Sequence, residues 1–240
     1  MPITTGTMFS GSENFNLSKA VLIYEGKHDN AYATIHDVNI GRDGQASLLA
    51  GVPATREATA RIARDLIKGL RLGSFLPANV LSVGIDSLVW WVPTQKRLVY
   101  FKSDELGGER SAETCHPGLV FRASANSWHI FAVKGNSRPT PDTQLFQAPY
   151  FNVWKQDGKI CTGNVTIPGT TVEDSIKAWT DAFFDSYFTH PNVHAPDKLV
   201  NWKGGSYAFW RSMLDGEHKK FPEKALVSAN MTIASLLKQG

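Results

Sequence analysis

The sequence predicts an α+β fold, with strands and helices segregated along the chain rather than alternating. Three observations carry that expectation. Between residues 87 and 133 the chain runs in short β-type stretches whose links are too short for helical crossovers. Amphipathic stretches with apolar residues at helical spacing lie before and after them. No Pro/Gly/Ser-rich linker, internal repeat or low-complexity tract interrupts the order. The expected organisation is therefore one domain over residues 51–240, preceded by an N-terminal extension over 1–50.

Residues 1–18 are polar and rich in Gly, Ser and Asn, and are expected to be loose. Ala20–Tyr24 and Ala31–Asn39 read as an extra N-terminal β-hairpin around the turn-forming cluster Lys27-His28-Asp29-Asn30. Gly41-Arg42-Asp43-Gly44 is a second turn. Thr55 is placed to cap a helix with Glu57 in its first turn. Ile62, Leu66, Ile67 and Leu70 form its apolar stripe, and Gly73 stops it.

Ser87–Val92, Arg97–Lys102, Leu119–Ala123 and His129–Val133 are then expected to form a four-stranded antiparallel meander. Pro93-Thr94-Gln95-Lys96 is its short link and Leu106–Pro117 a longer polar one. Residues 134–160 look irregular, with Pro139, Pro141 and Pro149 in quick succession, and the turn Asp157-Gly158 leads to Cys161. A second helix is expected from Thr171, with Asp174 at the capping-box position and a stripe of Ile176, Trp179, Phe183 and Tyr187. His190-Pro191-Asn192 ends it, because proline cannot continue a helix. Tyr207–Leu214 and Ala225–Leu237 read as further helices.

The net charge of +3, with no run of Lys or Arg, argues against direct nucleic-acid binding. Mean hydropathy is −0.21, and no apolar stretch approaches the roughly 20 residues of a membrane helix. The first residues lack a basic segment followed by an apolar one, so a cytoplasmic protein is expected. Two cysteines in a reducing compartment are expected to be free thiols.

Cys161 is the first chemical candidate. Glycines 158 and 163 leave room around it, and among its near neighbours only Ile160 suits a buried, inert cysteine. Its reactive form would be the thiolate. Cys115, His116, His129 and Cys161 match no common zinc-finger spacing, so no metal is assigned. No phosphate loop, dinucleotide glycine pattern or H-E-x-x-H motif is present, and no cofactor is expected. His190 and His194 follow the second helix, whose C-terminus would favour a charged imidazole.

The stretch Val153-Trp154-Lys155-Gln156-Asp157-Gly158-Lys159-Ile160-Cys161 resembles the active-site segment of ubiquitin-conjugating (UBC-fold) proteins. There an H-P-N-V-x-x-x-G-x-I-C pattern ends in the thioester-forming cysteine, and Gly158, Ile160 and Cys161 fall in register. Pro191-Asn192 matches a downstream Pro-Asn turn of the family, and the resemblance covers about residues 55–215. Phe131–Val153 looks more specifically like the central signature of the protein B family of bacterial PRTRC systems, a divergent UBC-like group.

This resemblance implies a carrier that accepts a ubiquitin-like protein on Cys161 from a ThiF-like activating enzyme and passes it to an amine. It implies a JAB-type metalloprotease in the same system. Asn152 is the first candidate for the oxyanion donor and Asn164 the second. His194, with His190 as alternative, would accept the proton of the amine. The sequence departs from the family in that Phe151-Asn152 stands where the histidine of H-P-N would fall. That departure keeps open a catalytically inactive UBC-like adaptor as the alternative.

Overall fold

The computed structural model describes residues 17–26, 31–66, 76–84, 87–124, 127–155, 157–163, 165–168, 175–193 and 198–238. The chain divides into two compact units, residues 1–74 and 75–240. In the first, β1 (Lys19–Glu25), β2 (Ala31–Ile40) and β3 (Ala46–Pro53) form an antiparallel sheet in that order, and α1 (Arg56–Leu66) follows. The expected hairpin is present and gains a third strand. The turn at 41–44 produces it: the Gly44 amide donates to the Gly41 carbonyl at 2.9 Å, and the Gly41 amide to the Gln45 carbonyl at 2.8 Å. Thr55 caps α1 as its position predicts, its hydroxyl accepting from the Ala58 amide at 3.2 Å. The turn residues 27–30, the helix positions Ile67 and Leu70, Gly73, and the capping pair Thr171 and Asp174 lie outside the described residues.

The second unit contains, in chain order, β4 (Val80–Val83), β5 (Ser87–Val92), β6 (Gln95–Ser103), β7 (Gly108–His116), β8 (Gly118–Ser124), β9 (Ser127–Val133), β10 (Gln144–Gln147), α2 (Ile176–Phe184), β11 (Tyr187–Phe188), α3 (Gly205–Leu214), β12 (Ser228–Thr232) and α4 (Ile233–Leu236). A six-stranded antiparallel sheet runs β12-β10-β9-β8-β5-β4, and a three-stranded sheet runs β11-β6-β7. The fold is mixed and dominated by strands.

The order within the sheets corrects the expected meander. β5 pairs with β8, placing Trp90 opposite Phe121, and not with β6. β6 pairs instead with β7, which occupies most of the segment 106–117 expected to be a polar link. That segment reads as a loop because Glu109, Ser111 and Glu113 face solvent, while the alternate positions before Thr114 are only half-buried. Charge satisfies it: Lys102 pairs with Glu109 across the hairpin at 2.6 Å, and Arg110 with Asp215 at 2.6 Å.

β11 lies parallel to β6, so Tyr187 does not continue the stripe of α2. The helix ends at Phe184, and Tyr187 is exposed in an extended segment. The stretch 225–237 is not one helix; it splits into a 3-10 turn, β12 and the short α4.

Period-two alternation buries both faces of the large sheet. On one face Trp90 stacks on Phe121 with centroids 5.2 Å apart, and α2 supplies Trp179, Phe183 and Phe184 to the same core. The Trp90 indole N–H donates to the Thr180 hydroxyl at 3.0 Å inside this layer. Tyr150 touches Phe183, Phe184, Phe188 and Trp210, joining the small sheet to α2 and α3. On the opposite face Val89, Val120, Phe131 and Val133 pack with Leu145, Ile233 and Leu236. Each fully buried large apolar side chain stabilises by roughly 1.5–3 kcal/mol, against about 0–1 kcal/mol for an exposed ion pair such as Lys102–Glu109. The aromatic layer, not the surface charge, therefore holds the segments that position the site. Among the described residues no helix is long and apolar enough to cross a membrane.

Candidate functional site

Residues 134–160 are expected to be irregular, yet the described residues from Val153 to Ile160 are held in a narrow β-type arrangement. Val153 bridges Ile160, both side chains buried, and the Trp154 amide donates to the Lys159 carbonyl at 2.8 Å. The turn is fastened to β9. The Ile130 amide donates to the Gly158 carbonyl at 2.9 Å, and the Ile160 amide to the Trp128 carbonyl at 2.8 Å. Gly158 has φ +71, and a Cβ there would lie 2.7 Å from the Ile130 carbonyl oxygen and 2.6 Å from the Phe131 ring. Glycine is required by both conformation and space. With Ile160 turned inward, the next residue emerges: Cys161 is exposed.

Cys161 lines an open cleft of about 730 Å³ together with Asn152, Lys102, Asp185, Tyr187, Thr189 and His190. Asn152 has φ +62, a left-handed conformation that asparagine tolerates better than most residues. Its carbonyl accepts from the Cys161 amide at 2.7 Å, and its own amide donates to the His190 carbonyl at 3.0 Å. Its side-chain amide donates to the Tyr187 carbonyl at 2.8 Å. Its side-chain oxygen accepts from the Thr189 amide at 3.2 Å and the Thr189 hydroxyl at 2.8 Å. The Thr189 hydroxyl also lies 2.9 Å from His190 Nδ1. At the cleft wall, the hydrogen bond and charge of Glu109 raise the pKa of the Lys102 ammonium.

Of the residues expected to act, the structure brings together Cys161, Asn152 and His190. Asn164 and His194 lie outside the described residues. His190 is not a helix cap. α2 ends at Phe184, and the dipole effect fades within the last turn, so it does not reach His190. The pairing of β11 with β6 and the Asn152–His190 hydrogen bond bring His190 to the cleft instead.

Thr189, Tyr187, Asp185 and Lys102 are site residues that sequence reasoning misses. No motif marks them; the parallel pairing of the two-residue β11 with β6 collects them.

The other thiol is unlike Cys161. Cys115 is buried on β7 and donates toward the Lys219 carbonyl at 3.2 Å. His116 beside it is also buried, and burial lowers its pKa to about 4. Among the described residues no group of three or more His, Cys, Asp or Glu is arranged to hold a metal ion.

The mixed fold thus presents one exposed cysteine beside a polar asparagine–threonine–histidine cluster. The family model described as prokaryotic E2 family D matches residues 66–229, and the chain belongs to that family, as a bacterial E2-like protein. Membership links it to ubiquitin-like conjugation, and E2-like proteins work with a ubiquitin-like protein and an activating enzyme. Comparisons with curated proteins and with solved structures returned no match.

Proposed function

We propose that the protein carries a ubiquitin-like protein as a thioester on Cys161, taken from a ThiF-like activating enzyme and handed to an amine. The observation that carries this reading is one exposed sulfur on the rim of an open cleft shared with Asn152 and His190, in a chain of an E2 family. In loading, the Cys161 thiolate attacks the carbonyl carbon of the donor thioester. A C–S bond forms, the activating enzyme's thiolate leaves, and the acyl energy is conserved.

In discharge, an amine attacks the same carbon and an oxyanion develops. Asn152 spends one side-chain N–H on the Tyr187 carbonyl, which leaves the second to meet that charge. Losing one such donor commonly costs about 10²–10³ in rate. The C–N bond forms, the amine proton passes to His190, and the C–S bond breaks with Cys161 leaving as thiolate. Proton acceptance of this kind is worth about 10²–10⁴.

The adaptor reading draws on one observation. Both polar atoms of the Asn152 side chain are already bonded, a resting arrangement that also suits a surface binding its partner without chemistry. Incubation with the activating enzyme, ATP and the ubiquitin-like protein separates the two. A carrier gives an adduct that a thiol reductant removes and that Cys161→Ala abolishes. An adduct that survives in Cys161→Ala refutes the assignment, and a bound but uncharged complex supports the adaptor.

A further inference from the structure

We infer that Thr189 is a positioning residue whose hydroxyl fixes which nitrogen of His190 exchanges a proton; its role in turnover rests on the carrier reading of Cys161. The argument is a count of hydrogens. The Tyr187 carbonyl can only accept, so the Asn152 side-chain atom 2.8 Å away is the amide nitrogen. The Thr189 backbone amide can only donate, so the atom 3.2 Å from it is the Asn152 oxygen. Both constraints give the same amide orientation.

The Thr189 hydroxyl has one hydrogen and lies 2.8 Å from that oxygen, which can only accept. Its hydrogen is therefore committed to Asn152. None is left for His190 Nδ1 at 2.9 Å, so Nδ1 carries the hydrogen and the hydroxyl accepts it. A neutral His190 then has its lone pair on Nε2, and Nε2 is the atom that gains and loses the proton. A free imidazole can adopt either tautomer; the chain from the Tyr187 carbonyl through Asn152 and Thr189 removes the choice. The chemical consequence is directional. During discharge the amine must lose a proton as its C–N bond forms and the C–S bond to Cys161 breaks. Nε2 with a lone pair can take that proton, whereas the opposite tautomer would present an N–H to it. The same hydroxyl holds the Asn152 amide in the orientation that leaves an N–H for the oxyanion.

The test uses the full chain labelled with ¹⁵N, with long-range ¹H–¹⁵N spectra of His190 recorded with its ring neutral. The expected ring has Nδ1 protonated and Nε2 unprotonated. Thr189→Val removes the hydroxyl at constant shape and should populate both tautomers, while Thr189→Ser restores the single form. Discharge to free lysine should slow about 3- to 10-fold in Thr189→Val, the range one neutral hydrogen bond supplies, and recover in Thr189→Ser. In a His190→Ala background Thr189→Val should slow it less, only through Asn152.

A wild-type ring protonated on Nε2 overturns the inference, as does an unchanged ring in a folded Thr189→Val. If Thr189→Val does not fold, the wild-type spectrum decides alone. If no thioester forms with the wild-type chain, the carrier reading fails while the ring spectra still decide how Thr189 acts on His190.

Discussion

Replacing Gly158 with alanine tests how the sulfur is held. The added Cβ faces two costs. At φ +71 an alanine sits in the left-handed region, which costs about 1–2 kcal/mol for a residue with a Cβ. The methyl would also stand 2.7 Å from the Ile130 carbonyl oxygen, a backbone atom, and 2.6 Å from the Phe131 ring. Neither can swing away: Ile130 is held within β9, and Phe131 is buried between the sheet and Leu145. Overpacking of this kind costs about 1–3 kcal/mol, so Gly158→Ala should destabilise by roughly 2–5 kcal/mol in total.

Gly163 is the internal control. It also has positive φ, +50, but a Cβ there meets nothing within 4 Å, so Gly163→Ala should cost only the conformational part, about 1–2 kcal/mol. Urea unfolding followed by tryptophan fluorescence gives both values. In Gly158→Ala the turn should also lift off β9, so alkylation of Cys161 should change rate. Two variants agreeing within about 0.5 kcal/mol, with equal alkylation rates, would refute the steric argument.

Three further outcomes are expected. In the native protein a chromogenic disulfide reagent should titrate one thiol quickly, Cys161, and reach Cys115 only after unfolding; Cys161→Ala should remove the fast phase. Thr180→Val should cost about 1–3 kcal/mol in urea unfolding, because it strands the buried Trp90 indole N–H, and Thr180→Ser should recover most of it.

Stability should also fall with pH through His116. Its folded pKa of about 4 lies below the ordinary 6.5, so the unfolded chain binds the extra proton. Stability is fully present above about 6.5 and is lost as the pH falls toward 4. About 2 kcal/mol should disappear between pH 7 and 5, and His116→Gln should flatten that part of the curve.

How far the site could be read beforehand depends on what kind of signal each part leaves. Cys161 was legible because glycines and a turn surround it in sequence, and the same residues expose it in space. β5, β8 and β9 were legible because most positions on both of their faces are buried, so their composition is largely apolar. β7 was not, because half of it faces solvent and is satisfied by Lys102 and Asp215 from elsewhere in the chain. β11 was not, because its two residues continue an apolar spacing that a helix would also satisfy, and only its pairing with β6 decides otherwise. Thr189 depends on that pairing and leaves no local mark.

Asn152 makes five hydrogen bonds, four of which link two segments seated on different sheets: the Cys161 turn anchored to β9, and residues 187–190 anchored through β11 to β6. It acts as a clasp between two jaws, with the thiol on one and the imidazole on the other. Trp154 of the same turn bridges Asn192 and fastens the junction a second time. Beneath the clasp the two jaws share one aromatic core, in which Phe101 of β6 meets Phe151 of the turn edge-on at 5.3 Å, so sulfur and imidazole cannot part without unpacking it.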